Sequence, residues 1–124
     1  FTKRAIGVAA STDIPTRADA DARYVNSGGA LPLATRTITT TGAPTATDYL
    51  ILCDATSGAI TVNLPAVASS AGRVLVVKKT DASINSVTLD GNGAETIDGA
   101  ATKILATQYA VLNIQCNGAA WWII

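Results

Sequence analysis

The stretch of sequence that decides the fold runs from Gly72 to Ile124 and reads GRVLVVKKTDASINSVTLDGNGAETIDGAATKILATQYAVLNIQCNGAAWWII. Short apolar runs alternate in it with turn sequences, namely Asp90-Gly91-Asn92-Gly93, Asp98-Gly99 and Asn117-Gly118. Apolar runs bounded by Asp-Gly and Asn-Gly pairs are typical of antiparallel hairpins. We therefore predict an all-β fold, a small antiparallel β-sandwich or barrel-like domain of about nine short strands.

Upstream of this stretch, the β pattern extends back to Thr37. Residues 59–64 alternate, with Ile60, Val62 and Leu64 on one face of a strand. Residues 1–36 differ, because their apolar stretches are short and Thr16 is a suitable N-cap for a helix. The sequence therefore predicts a β domain over 37–124 that oligomerises, preceded by an extended N-terminal arm over 1–36 with one short helix.

The composition indicates a chain that is partly covered by other chains. Of its 124 residues 48% are hydrophobic, but only 5% are aromatic and 15% charged. Soluble domains usually carry about 25% charged residues. A β domain of this size also has little interior for its surface. We therefore expect partner subunits to complete a thin core.

Charge and hydropathy exclude several classes of function. The formal net charge is zero and no basic block exists, so nucleic-acid binding has no electrostatic footprint. No run of about 18 apolar residues is present, which predicts no membrane span. The opening FTKRAIGVAAST lacks the apolar core of a signal peptide. Because the chain begins at Phe1, we expect it to be part of a longer protein.

The inventory of reactive side chains argues against an enzyme. Histidine is absent and Glu95 is the single glutamate, which removes the commonest general base and most paired-carboxylate schemes. The loop Asp90-Gly91-Asn92-Gly93 with Glu95 and Asp98 has some likeness to calcium loops, but strands rather than helices flank it. We predict a plain glycine turn, no catalytic residue, no metal and no cofactor.

Cys53 and Cys116 lie in strand-like apolar runs without CxxC spacing. A disulfide between them requires neighbouring strands. Free buried thiols, made in a reducing cytosol, are the favoured alternative. Lys78 and Lys79 end another apolar run, and we interpret them as a solvated strand end that discourages edge pairing.

Trp121 and Trp122 are adjacent, so on a strand they point to opposite faces. One is expected in the core, and the other at the surface or in a subunit interface. An exposed tryptophan can stack on sugars, so Trp121 and Trp122 are also candidates for glycan stacking. The subunit-interface candidates are Tyr109, Trp121, Trp122, Ile123 and Ile124.

Several segments resemble a module of bacteriophage tail-fibre and tail-spike proteins. They are residues 64–66 (LPA), 71–83 (AGRVLVVKKTDAS), 87–90 (VTLD), 95–100 (ETIDGA) and 117–121 (NGAAW), with ADADARYVN at 18–26. The resemblance implies a structural virion protein, a homotrimer without cofactor, made in the host bacterial cytoplasm. It carries no catalytic signature, and the chain lacks a long fibrous repeat.

For a structural virion protein, we expect the N-terminal arm to dock the β domain to another virion protein or to the next module. Its Arg17, Asp19, Arg23 and Tyr24 are candidates for docking to other virion proteins of the tail, neck or capsid. Two alternatives remain open: a carbohydrate- or host-receptor-binding module at a fibre that contacts a host surface glycan, or a capsid decoration protein.

Overall fold

The computed structural model describes residues Leu33–Ile124. Its eight strands are β1 (Ala34–Ile38), β2 (Asp48–Cys53), β3 (Ile60–Asn63), β4 (Val74–Lys79), β5 (Val87–Asp90), β6 (Thr102–Leu105), β7 (Val111–Cys116) and β8 (Trp121–Ile123). A single 3-10 turn, Val67–Ser69, precedes β4. Within this part of the chain no helix is long and apolar enough to span a membrane. The predicted arm helix, with Arg17, Asp19, Arg23 and Tyr24, lies outside the described residues.

The strands form two mixed sheets. The larger sheet has the order β1-β2-β4-β7-β8, and the smaller has the order β3-β5-β6. In the larger sheet β1, β2 and β4 are parallel, whereas β7 and β8 are antiparallel to their neighbours. In the smaller sheet β3 and β5 are parallel and β6 is antiparallel. The all-β class is confirmed, but the prediction of a purely antiparallel domain is wrong.

The parallel pairs β2–β4 and β3–β5 arise because the chain changes sheet after each of the strands β2, β3 and β4. β2 lies in the larger sheet, β3 in the smaller, β4 in the larger and β5 in the smaller. Each return places the new strand beside the earlier one in the same direction, as the pairs Leu50–Val76 and Ile60–Val87 show. In this part of the domain, called the coil below, the chain therefore winds back and forth between the two sheets in successive parallel turns and does not form a series of hairpins.

The C-terminal strands end the coil with turns that the sequence predicts correctly. Asp98 and Gly99 have φ angles of 48° and 80°, and Ile97 and Ala100 exchange two backbone hydrogen bonds of 2.7 and 3.0 Å. Positive φ at both central residues is the geometry of a type I′ turn. The Asn117-Gly118 segment joins the antiparallel strands β7 and β8, and its Asn117 Oδ1 accepts two backbone N–H groups at 2.9 Å.

The core lies between the two sheets and is aliphatic apart from one aromatic residue. Trp121 is its largest side chain and is fully buried. The backbone N–H of Trp121 donates to Thr96 O at 2.9 Å, and the backbone carbonyl of Trp121 accepts from the Asp98 N–H at 3.0 Å. These bonds tie the last strand of the larger sheet to the loop that follows β5.

The start of the β domain is earlier than the sequence predicts. The compact unit begins at Leu33, and β1 runs from Ala34 to Ile38 alongside β2. The predicted boundary between Arg36 and Thr37 therefore falls inside a strand. The weak alternation of this Thr-rich segment conceals the strand, because the edge strand β1 has few buried side chains.

Gly91 offers a direct test of this packing. A Cβ atom built there would lie 2.2 Å from the backbone oxygen of Glu95, whereas a Cβ at Gly42 would meet nothing within 4 Å. We expect Gly91→Ala to lower the free energy of unfolding by about 3 kcal/mol, the upper end of typical overpacking costs. Gly42→Ala should cost less than about 0.5 kcal/mol. Urea unfolding measures both, and equal stabilities would contradict the loop geometry.

Candidate interaction surface

Asp81 holds together two neighbouring crossings of the coil. Its carboxylate accepts the Ala55 N–H at 2.7 Å, the Ser83 N–H at 2.9 Å and the Ser83 hydroxyl, and pairs with Lys79 Nζ at 2.7 Å. Lys79 is fully buried, so the prediction of a solvated Lys78-Lys79 strand end is wrong for Lys79. Strand alternation sends Lys79 inward, and Asp81 supplies the partner that makes its burial tolerable.

A second ion pair fixes the connection between β1 and β2. Arg36 Nε and Nη2 donate to the Asp48 carboxylate at 3.0 and 2.6 Å, and the Thr45 N–H donates to it at 2.8 Å. The hydrogen bonds from Arg36 hold the pKa of Asp48 below its usual value, against the opposing effect of burial. Arg73 Nη2 donates to the Asp48 carbonyl at 3.0 Å. These hydrogen bonds therefore stabilise the fold of the domain.

Glu95 and the two cysteines also contribute to the fold. Glu95 Oε1 accepts the Val67 N–H at 3.1 Å and so anchors the 3-10 turn. Cys53 is opposite Lys79 at one end of β4, while the Cys116 N–H donates to Arg73 O at the other end, about 20 Å away along the strand. Both thiols are buried and free, and burial raises the pKa of Cys53 to about 11.

Among the described residues, no three His, Cys, Asp or Glu side chains are grouped so that they could hold a metal ion. The feature that needs explanation is instead the outer face of the larger sheet, which points away from the core. By register and alternation this outer face consists of Thr35, Thr37, Leu50, Leu52, Val74, Val76, Lys78, Val111, Asn113, Gln115, Trp122 and Ile124.

The centre and one margin of this outer face are apolar. Leu50, Leu52, Val74 and Val76 are only partly buried there. Val111, Trp122 and Ile124 are 44%, 47% and 63% exposed. The apolar residues of β4 and β8 are separated by the amides Asn113 and Gln115 of β7, and apolar surface of this extent is one mark of an interaction surface.

The smaller sheet provides an internal comparison. Its outward positions are Thr61, Asn63, Thr88, Asp90, Thr102 and Ile104, of which only Ile104 is apolar. One sheet therefore shows the polar outer side expected of a solvated surface, whereas the other does not. The difference between the two sheets arises from β2 and β4. Residues 50–53 and 74–77 in these strands are apolar at every position, as in strands that are covered on both faces.

The candidate residues from the sequence are divided between core and surface. Trp121 is enclosed by the chain's own core, so it is unavailable for a subunit contact or for glycan stacking, and this part of the prediction is wrong. Trp122 and Ile124 belong to the outer face, whereas Ile123 is opposite Ile114 on the other side and is 36% exposed at the edge. Which of the two tryptophans is buried depends only on which alternate positions of β8 face the core.

Two features border the outer face. The Lys78 ammonium lies 5.5 Å from the centroid of the Tyr109 ring, which is itself 60% exposed. At the opposite corner, an open groove of about 330 Å³ is lined by Gly72, Gln115, Cys116, Asn117, Trp122 and Ile124. The sequence selects Tyr109, Trp122 and Ile124 but not Leu50, Leu52, Val74 and Val76, which lie in apolar runs without alternation to show which side faces the core.

Comparison with protein-family models finds no match for this chain, and comparison with curated proteins finds none either.

The buried carboxylates predict how stability depends on pH. Burial opposes ionisation of Asp81, but hydrogen bonds from Lys79 and Ser83 outweigh it and hold its pKa well below the usual value. Its stabilising contribution is therefore complete above an unfolded pKa near 4 and is lost as the pH falls through the folded value. We expect the thermal midpoint to fall steeply between about pH 4 and pH 2.

A paired variant isolates this effect from general acid unfolding. Lys79→Met combined with Asp81→Asn removes both buried charges and leaves no unpaired ion. The variant should show a shallower loss of thermal midpoint below about pH 4 than the wild type, by differential scanning calorimetry. An unchanged acid dependence would show that the pair does not govern it.

Proposed function

We propose that this chain is a structural component of a bacteriophage virion, a homotrimeric tail-fibre or appendage protein attached through its N-terminal arm. The observation that carries the proposal is the apolar outer face of the larger sheet, which the chain's described residues leave uncovered. A rigid β domain with one such face is suited to assembly, because burying that face removes apolar area from water.

The virion role itself is supported by the sequence resemblance. The resembling segments include 71–83 and 117–121, which in the structure hold β4 and the turn that leads into β8. Both strands contribute side chains to the outer face. The charged pairs Arg36–Asp48 and Lys79–Asp81 are consistent with a role in holding shape, since their hydrogen bonds join loops and strands of the same domain.

Incorporation into particles tests the proposal. A variant that begins at Leu33 keeps β1 intact, unlike a cut after Arg36. We expect the full chain to be detected in purified phage particles by immunolabelling, and the shortened chain to be absent from them while retaining its far-UV circular dichroism. Absence of the full chain from particles would contradict the virion role, and equal incorporation of both would contradict attachment through the arm.

The site of labelling separates the remaining assignments. Antibody on the tail or neck supports a fibre or appendage, whereas uniform labelling of the head supports a capsid decoration protein.

A carbohydrate- or receptor-binding module is the second candidate, favoured by the groove beside Trp122. The indole is 47% exposed, and the amide side chains of Gln115 and Asn117 line the same groove. An aromatic platform flanked by amides provides the apolar and hydrogen-bonding contacts that a sugar ring requires.

Glycan-array binding tests this second function. If the groove binds a surface glycan, Trp122→Ala should weaken binding at least about tenfold, which corresponds to about 1.4 kcal/mol. The control is Ile104→Ala, which removes an exposed apolar residue from the other sheet. Loss of binding in both variants, or in neither, would contradict a role for the groove.

A further inference from the structure

We infer that the outer face of the larger sheet is the contact between copies of this chain, with the outer faces of the copies turned towards a shared symmetry axis. The inference deepens the proposed assembly role by naming its surface and its partner, and in that respect it rests on the proposed function. The occupant is a further copy of the chain rather than a different protein or a glycan.

Charge is the first reason to choose a copy. The outer face carries a single charged side chain, Lys78, and this lies at its margin with its ammonium over the Tyr109 ring. In a contact between copies, a charge on the face can be paired only by an opposite charge of the same face, and this face has no acidic side chain to pair with Lys78, so the contact must be made by uncharged groups. A different protein partner would permit complementary charges, and the outer face offers none for it to pair with beyond Lys78.

Hydrogen bonding is the second reason. The polar side chains on β7 within the face are the amides Asn113 and Gln115, both exposed. Each amide carries donors and an acceptor, so it can pair with the same amide of another copy. The face therefore combines apolar residues on β2, β4 and β8 with a self-complementary polar row on β7.

Area is the third reason. Five strands spaced about 4.8 Å apart, with an average length of about 17 Å, cover roughly 410 Å² before the relief of the side chains is counted. Two such faces together approach the roughly 1,000 Å² that a specific protein interface must bury. A single sugar ring in the Trp122 groove would leave Leu50, Leu52, Val74 and Val76 still in contact with water.

The molar mass of the full chain in solution is the test, with one charged substitution on each sheet. Val76 is central to the outer face on β4, and Thr88 is the corresponding outward residue on the central strand β5 of the smaller sheet. By light scattering after gel filtration, we expect the wild type and Thr88→Asp to have a multiple of the 12.6 kDa chain mass. Val76→Asp should have the mass of one chain, with an unchanged far-UV circular dichroism spectrum.

A second measurement applies if Val76→Asp fails to fold. Asn113 and Asn63 are exposed on the two different sheets, and both native cysteines are buried. Under mild oxidation Asn113→Cys should form a disulfide between chains, and Asn63→Cys should not. A monomeric wild type, an oligomeric and folded Val76→Asp, or equal cross-linking at both positions would overturn the inference.

The outcomes for this surface and for the virion role are separate. A folded oligomer that depends on Val76 but is missing from phage particles supports the interface and overturns the virion role. A chain that is found in phage particles, but whose oligomer survives Val76→Asp, supports the virion role and overturns the interface. Glycan binding that depends on Trp122 in a monomeric wild type would assign the outer face to a sugar and overturn the copy contact.

Discussion

The structure depends on how the chain satisfies its backbone each time it crosses from one sheet to the other. The crossings after β2 and β4 lie side by side, and Asp81 binds the Ala55 and Ser83 N–H groups while it neutralises the buried Lys79. Asn85 Nδ2 adds a bond to Ala55 O at 2.8 Å. Buried backbone groups need such partners. With these bonds in place, β4 is held beside β2 and β5 beside β3, which produces the parallel register.

Parallel register has a direct consequence for the surface. Strands in the middle of a parallel sheet are normally covered on both faces, and their sequences are apolar throughout rather than alternating. β2 and β4 have this character, but the core of the described domain covers only their inner side. The smaller sheet covers the inner face, so the outer face requires a cover from elsewhere. The fold and the proposed assembly thus have the same origin in these two strands.

The sequence predicts individual turns and strands better than it predicts their pairing. Asp98-Gly99 and Asn117-Gly118 form the expected turns, because their conformations are set by the residues themselves. Residues 94–97, which the sequence counts among its nine strands, do not form one: within this segment only Ile97 makes isolated bridges, to Ala100 and Trp121. Short apolar runs separated by turns look alike whether the next strand pairs with its predecessor or crosses to another sheet. The partner of a strand depends on contacts distant in sequence, which local patterns do not record.

The residues of the candidate surface were likewise predicted only in part from the sequence. The sequence by itself determined that the described residues 33–124 form a β domain, that the chain is low in charge, and that Trp121 and Trp122 point opposite ways. It also placed Tyr109, Trp122 and Ile124 among the contact candidates. Only the tertiary structure decided that Trp121 and Lys79 face inward and that Val74 and Val76 face outward. The physical reason is that alternation fixes relative orientation along a strand, whereas the position of the core relative to the sheet fixes which side is buried.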